Sequence, residues 1–292
     1  MIRKIVALFR KQGLFGLVRE GMRFIFPEHA EASEGLQMLV SKSRGLEIGG
    51  PSGVFGRAGV LPLYQSATGL DNCNFSSETT WEGKIDEGQT FRFSRSQPPG
   101  RQFVGEASRL SELVEGKYDY ILSSHVIEHM ANPLHALNEW KSVLKPGGTL
   151  VLVVPHKQGT FDHRREVTLL THLEQDLEAH TGEDDLTHLP EILAKHDFAL
   201  DPEAGGKDAF ELRSRENFHN RCLHQHVFDG ALVANMIDRC EFQIDSMQCM
   251  LPFHIVVVAS VPPPEDPPHN SDFLIPNAQF RLDSPFSDDR CS

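Results

Sequence analysis

Residues 117–155 constrain this chain more than any other part of it. Tyr118-Asp119-Tyr120-Ile121-Leu122 is a short run rich in β-formers, Ser123 to His129 is a polar exit, and residues 131–144 carry apolar side chains at helical spacing. Lys145-Pro146-Gly147-Gly148 stops that helix, and the wholly apolar run from residue 149 to 154 follows at once. Strand, loop, helix and strand in this order form a βαβ unit, whose parallel strands are buried on both faces. Ligand groups in such a unit belong at the carboxyl end of the first strand, where Ser123, Ser124 and His125 stand.

Upstream, Arg44-Gly45-Leu46-Glu47-Ile48-Gly49-Gly50-Pro51-Ser52-Gly53 reads as a short strand opening into a glycine loop. Glycine there lets the backbone approach a ligand closely. The next acid after an apolar run is Asp71, at the spacing of a carboxylate on the second strand tip that accepts ribose hydroxyls. A third short run, Gln102-Phe103-Val104-Gly105, ends at Glu106-Ala107.

In order and spacing these segments resemble the motifs of class I S-adenosylmethionine-dependent methyltransferases, from residue 45 to 154 and again from 227 to 261. The resemblance implies an α/β fold: a Rossmann-like, seven-stranded, mostly parallel sheet with an antiparallel terminal hairpin. S-adenosylmethionine is the implied cofactor. Glu47, Gly49, Gly50, Ser52 and Gly53 would hold its methionine part, Asp71 its ribose, Glu106 and Ala107 its adenine edge, and Ser124 and His125 the floor beneath the sulfonium. Pro51 departs from the usual glycine pattern, since it lacks an N–H; it also breaks the G-x-G-x-x-G spacing of a nicotinamide-dependent oxidoreductase. The chain is further similar to bacterial methyltransferase-domain proteins that accompany glycosyltransferases in surface-polysaccharide assembly. That likeness implies a hydroxyl acceptor on a sugar or lipid-linked saccharide and a glycosyltransferase partner. A binding or scaffold protein with the same fold and no turnover is the competing reading.

Nine of the fifteen histidines lie between residues 156 and 226, a segment that interrupts the fold where the acceptor belongs. It reads as helical over 167–180, 186–198 and 208–219. An alcohol nucleophile needs a base with a pKa near neutrality, which is the property of histidine. His156, leaving the strand that ends at Pro155, and His163 are rival candidates for that base. Asp162, Arg164 and Arg165 supply an acid and bidentate donors suited to a polyhydroxylated or anionic acceptor. His129 has two readings, substrate contact or a loop cap. No His-x-x-x-His pair within the insertion fixes a ligand set, so no metal is assigned.

The formal charge of −13 opposes nonspecific nucleic-acid binding, which needs clustered cations. Five cysteines without paired spacing fit a reducing compartment, and the expectation is a cytoplasmic protein. Residues 1–26 are the exception to the acidity: Arg3, Lys4, Arg10, Lys11, Arg19 and Arg23 alternate with apolar residues at helical spacing. Such a helix suits a cap on the core, and also peripheral contact with an anionic membrane. The divisions that follow are a basic cap over 1–30, the cofactor core over 31–155, a His-rich acceptor-side insertion over 156–226, the last helix and hairpin over 227–261, and a tail over 262–292. The composition of that tail, rich in Pro, Asp and Ser, predicts disorder. Trp81, midway through a second insertion over 72–101, reads either as a lid residue or as a surface residue packed on the core.

Overall fold

The computed structural model describes residues 28–291; the basic segment 1–26 lies outside them. Helix α1 (Ser33–Val40) leads into β1 (Arg44–Ile48), β2 (Gly69–Asn74), a small hairpin of β3 (Glu78–Thr79) and β4 (Gly83–Lys84), then β5 (Gly88–Phe91) and β6 (Gly100–Val104). The βαβ unit follows as β7 (Tyr118–Ser124), α2 (Pro133–Ser142) and β8 (Leu144–Pro155). The insertion carries α3 (Leu170–Ala179), α4 (Leu189–Lys195) and α5 (Lys207–Arg215), and the core resumes with α6 (Gly230–Arg239), β9 (Gln243–Met250) and β10 (His254–Ser260).

One eight-stranded sheet has the order β5-β6-β2-β1-β7-β8-β10-β9. β6, β2, β1, β7 and β8 are parallel, and β10 turns antiparallel between β8 and β9. The strand beyond the expected seven is β5, which the insertion after β2 lays antiparallel along β6.

Alternation along the strands explains why both faces are covered. On β8, Leu150, Leu152 and Val154 pack with Leu134, Leu137 and Trp140 of α2 and with Val233 and Ile237 of α6. Val151 and Val153 point the other way, to Leu36 and Val40 of α1 and to Phe55, Leu61 and Leu63. The Pro-Gly stop of the sequence is an exposed bulge inside β8: register jumps from Tyr118↔Leu144 to Tyr120↔Thr149, and Gly147 takes φ +72°. N-capping by Asn132, whose side chain accepts the His135 N–H, starts α2 with Pro133 in its first turn.

The tail corrects an expectation. Short helices at Ser271–Leu274, Gln279–Leu282 and Ser287–Cys291 dock on α6 and β9. Phe280 and Phe286 are buried, and Asp289, fully buried, accepts the Gly230 N–H at 2.9 Å. A composition poor in regular periodicity concealed a few well-spaced apolar anchors.

Leu152 is wholly buried at the centre of the larger core. Leu152→Ala should lower the free energy of unfolding by about 2–5 kcal/mol, read from denaturant melts, through lost transfer energy and the cavity left behind.

Candidate active site

The parallel strands end on one rim, and a cleft opens there. Ile48 and Gly49 at the tip of β1, Asn74 and Phe75 at the tip of β2, Glu106 and Ala107 after β6, and His125, Val126 and Met130 after β7 form its walls. Gly49 has φ +74°, and a Cβ there would meet Val126 Cγ2 at 2.6 Å, so only glycine fits between strand tip and cleft. Trp140 fixes Ala107 by donating its indole N–H to the Ala107 carbonyl at 2.9 Å.

The rest of the glycine loop is held from behind. Glu47 is fully buried on the far face of β1, where it accepts the Ser52 N–H at 3.0 Å and the Tyr64 hydroxyl at 2.7 Å. Burial pushes its carboxyl up to about 8, against the downward pull of Tyr64 and Ser52. Asn72 clamps Gly50 through both its N–H, at 2.9 Å, and its carbonyl, at 3.1 Å. Glu47, Gly50, Ser52 and Gly53 are therefore off the cleft wall. They shape the loop, and Gly49 alone of the five expected loop contacts lines the cleft.

Asp71 is misplaced by the sequence reading. β2 runs three residues past it, to Asn74, so the strand tip bears an amide where a carboxylate was expected. The Asp71 carboxylate sits at the opposite end of the sheet, bound to the Arg44 guanidinium, the Arg101 N–H at 2.8 Å and the Tyr118 hydroxyl at 2.8 Å. Glu106 and Ala107 do reach the cleft, as does His125. Ser124 does not; its hydroxyl is buried beneath.

The insertion closes the cleft from outside. Arg221 donates to Glu106 Oε1 at 2.7 Å and to Glu183 Oε2 at 2.8 Å, and all three residues line the cavity. Burial pushes Glu183 up to about 7 although Arg221 pulls it down. Trp81 and Glu82, on the β3–β4 turn, complete the wall. Arg221 and Glu183 carried no sequence signal, because their partners lie far away along the chain.

A second cleft of about 590 Å³ adjoins the first and shares Trp81, His125 and His129 with it. Its lining includes Glu128, Phe161, Arg213 and His224. His224 holds Asp162 Oδ2 at 2.5 Å through Nδ1, and the other oxygen of Asp162 accepts from the buried Arg165 at 3.1 Å. Burial draws the His224 ring down, but the charge and hydrogen bond of Asp162, with Glu128 beyond, leave it above the ordinary histidine value. His129 is fixed by a 2.9 Å contact from Nδ1 to the Leu223 carbonyl, and burial with the neighbouring His224 lowers it to about 4.

Neither expected base belongs to this cleft. His156 is fully buried, stacked on Phe286 with centroids 4.0 Å apart and 3.4 Å from Asp289 Oδ1; its Nδ1 accepts the Gln158 N–H. It locks the tail to the end of β8. His163 and Arg164 are exposed and share Asp197 at 3.0 and 3.1 Å, outside the cleft wall. Asp162 and Arg165 are buried supports, with Arg165 also donating to the His224 and Gln225 carbonyls at 2.7 and 3.0 Å. Of the expected acceptor residues, His129 lines the cleft.

The first cleft suits a nucleoside with a cationic centre: apolar Ile48, Ala107 and Met130 for a base, polar Asn74 and Glu106 at two strand tips, and the Glu82 carboxylate on the wall. Fold and cleft together define a Rossmann-like transferase domain. The chain belongs to the methyltransferase domain family, whose profile matches residues 17–203, and its cofactor is S-adenosylmethionine. No curated protein matches it. Among solved structures it is similar to a SAM-dependent methyltransferase from Methanosarcina mazei, at 14% identity over 75% of this chain and 92% of that one, with a TM-score of 0.39. A methyltransferase from Mesorhizobium loti gives 12% identity, 79% and 98% coverage and a TM-score of 0.44. The N-methyltransferase NodS from Bradyrhizobium japonicum gives 12%, 80% and 96%, and 0.41.

Two measurements check these assignments. Asn74→Ala should weaken S-adenosylmethionine binding by roughly 1 kcal/mol, about fivefold by calorimetry, through one lost hydrogen bond, while Asp71→Asn leaves it unchanged. For Glu47, whose folded pKa of about 8 exceeds its ordinary value of 4.5, the unfolded chain releases a proton first as pH rises. Its contribution to stability is thus complete below about pH 4.5 and falls towards pH 8. Denaturant melts of Glu47→Gln should show a smaller decline across that window than the parent.

Proposed function

We propose that the protein transfers the methyl group of S-adenosylmethionine to a hydroxyl of a sugar or lipid-linked saccharide. The observation that carries this reading is His224, backed by Asp162, on the wall of a cleft that shares three residues with the donor cleft. The cofactor supplies a methyl carbon on a cationic sulfur. Transfer forms an oxygen–carbon bond as the sulfur–carbon bond breaks, with the electron pair staying on sulfur. The hydroxyl proton goes to Nε2 of His224, whose Nδ1 is held by Asp162, so one carboxylate fixes both tautomer and ring orientation. His129, Glu128 and Arg213 offer hydrogen-bonding groups to neighbouring hydroxyls. Positioning of donor and acceptor supplies most of the acceleration.

Among the described residues no helix is long and apolar enough to cross a membrane. The reading extends to a cytoplasmic enzyme working beside a glycosyltransferase, with residues 1–26 available for contact with an anionic membrane surface.

Incubation with S-adenosylmethionine and a panel of nucleotide sugars and lipid-linked saccharides should release S-adenosylhomocysteine and yield a methyl ether, read by mass spectrometry. His224→Ala should lower kcat by about 10²–10⁴-fold with donor affinity unchanged, and Asp162→Asn should act in the same direction. Donor binding without release of S-adenosylhomocysteine on any acceptor would favour the scaffold reading.

A further inference from the structure

Away from both clefts, the insertion meets the core at a cluster of three histidines and one aspartate. His172 and Asp176 stand one turn apart on α3, His188 immediately precedes α4, and His226 lies four residues before α6. One ring nitrogen of each histidine lies within 4.8 Å of the others. His172 Nε2 is 3.0 Å from His188 Nε2 and 3.4 Å from Asp176 Oδ2, and His226 Nε2 is 3.9 Å from the same oxygen. Ligands about 2.0–2.2 Å from a shared tetrahedral cation stand roughly 3.3 Å apart; the three histidines form the compact set, and Asp176 approaches it from the side of His172 and His226.

The surroundings are those of a built site. Asp176 Oδ2, the oxygen that faces His172 and His226, is buried without a hydrogen-bond partner. The second Asp176 oxygen accepts the Thr181 hydroxyl at 2.9 Å, which fixes the carboxylate, and the Asp176 carbonyl accepts from Asn132 at 2.7 Å. Supporting contacts of this kind orient metal ligands. Arg165 is the nearby cation, and its guanidinium is already committed to Asp162, Glu191 and two carbonyls.

We infer that His172, Asp176, His188 and His226 form a structural zinc site that fastens the helical insertion to the methyltransferase core. Three imidazole nitrogens and one carboxylate oxygen in a closed set of four suit Zn²⁺ over harder cations. Binding changes tautomers: each ring presents a bare Nε2 to the cation, so the N–H between His172 and His188 and the one His226 Nε2 gives to the Ala131 carbonyl at 3.2 Å pass to Nδ1. The cation joins α3, the start of α4 and the segment entering α6.

The test uses full-length protein made without a histidine tag, stripped with EDTA, reloaded with ZnCl₂ and desalted. Elemental analysis should give one zinc per chain and thermal melts a higher Tm for the loaded form. Cobalt substitution should produce the intense visible bands of four-coordinate Co²⁺. His172 and His188 are both half-exposed, so His172→Ala and His188→Ala should keep the native circular dichroism while zinc affinity falls by roughly 100-fold or more. His129→Ala, in the separate trio of Glu128, His129 and His224, should leave zinc content unchanged. Reloaded protein holding less than about a tenth of an equivalent would overturn the inference. So would full zinc content in the His172/His188 double variant, or loss of zinc from His129→Ala alone. These readouts do not depend on methyl transfer, so they stand or fall apart from the acceptor assignment.

Discussion

Everything at the functional rim depends on burying both faces of five parallel strands. With Leu150 to Val154 and Tyr120 to Leu122 fully enclosed, no side chain along the middle of β7 or β8 is free to meet a ligand. Polar chemistry is therefore displaced to the strand ends, where backbone pairing stops and loops begin. Gly49, Asn74, Glu106 and His125 occur on one rim for this reason. The loops there need support from below, which Glu47, Tyr64 and Asn72 provide through hydrogen bonds to the glycine turn.

The βαβ unit was legible because its signal is local: an apolar strand, a capped helix and a Pro-Gly break lie within forty residues of one another. The end of β2 was not. Asn72 and Asn74 look like loop residues, yet they are buried in a network in which Gln102 on β6 accepts from the Asn72 amide and donates to the Asn74 carbonyl oxygen. Hydrophobic periodicity cannot register a strand whose polar side chains pair across the sheet. Asp71 drew the ribose role because the strand seemed to end there.

The histidines taught a similar lesson. Their concentration in the insertion pointed to the right region, but choosing among them required knowing which carboxylate each one faces. His156 meets Asp289, over a hundred residues later, and becomes part of the core; His224 meets Asp162 and turns towards a cleft. An Asp-His pair separated by 62 positions leaves no trace in spacing. The buried tail was hidden for the same reason, since Phe280 and Phe286 find their neighbours only in three dimensions.

Trp81, His125 and His129 bound the first cleft on one side and the second on the other. If a ring turns when one chamber fills, the shape of its neighbour changes with it, and linkage makes any resulting change in affinity equal in both directions. Three aromatic side chains thus form the whole of the wall through which one occupant could be felt by the other.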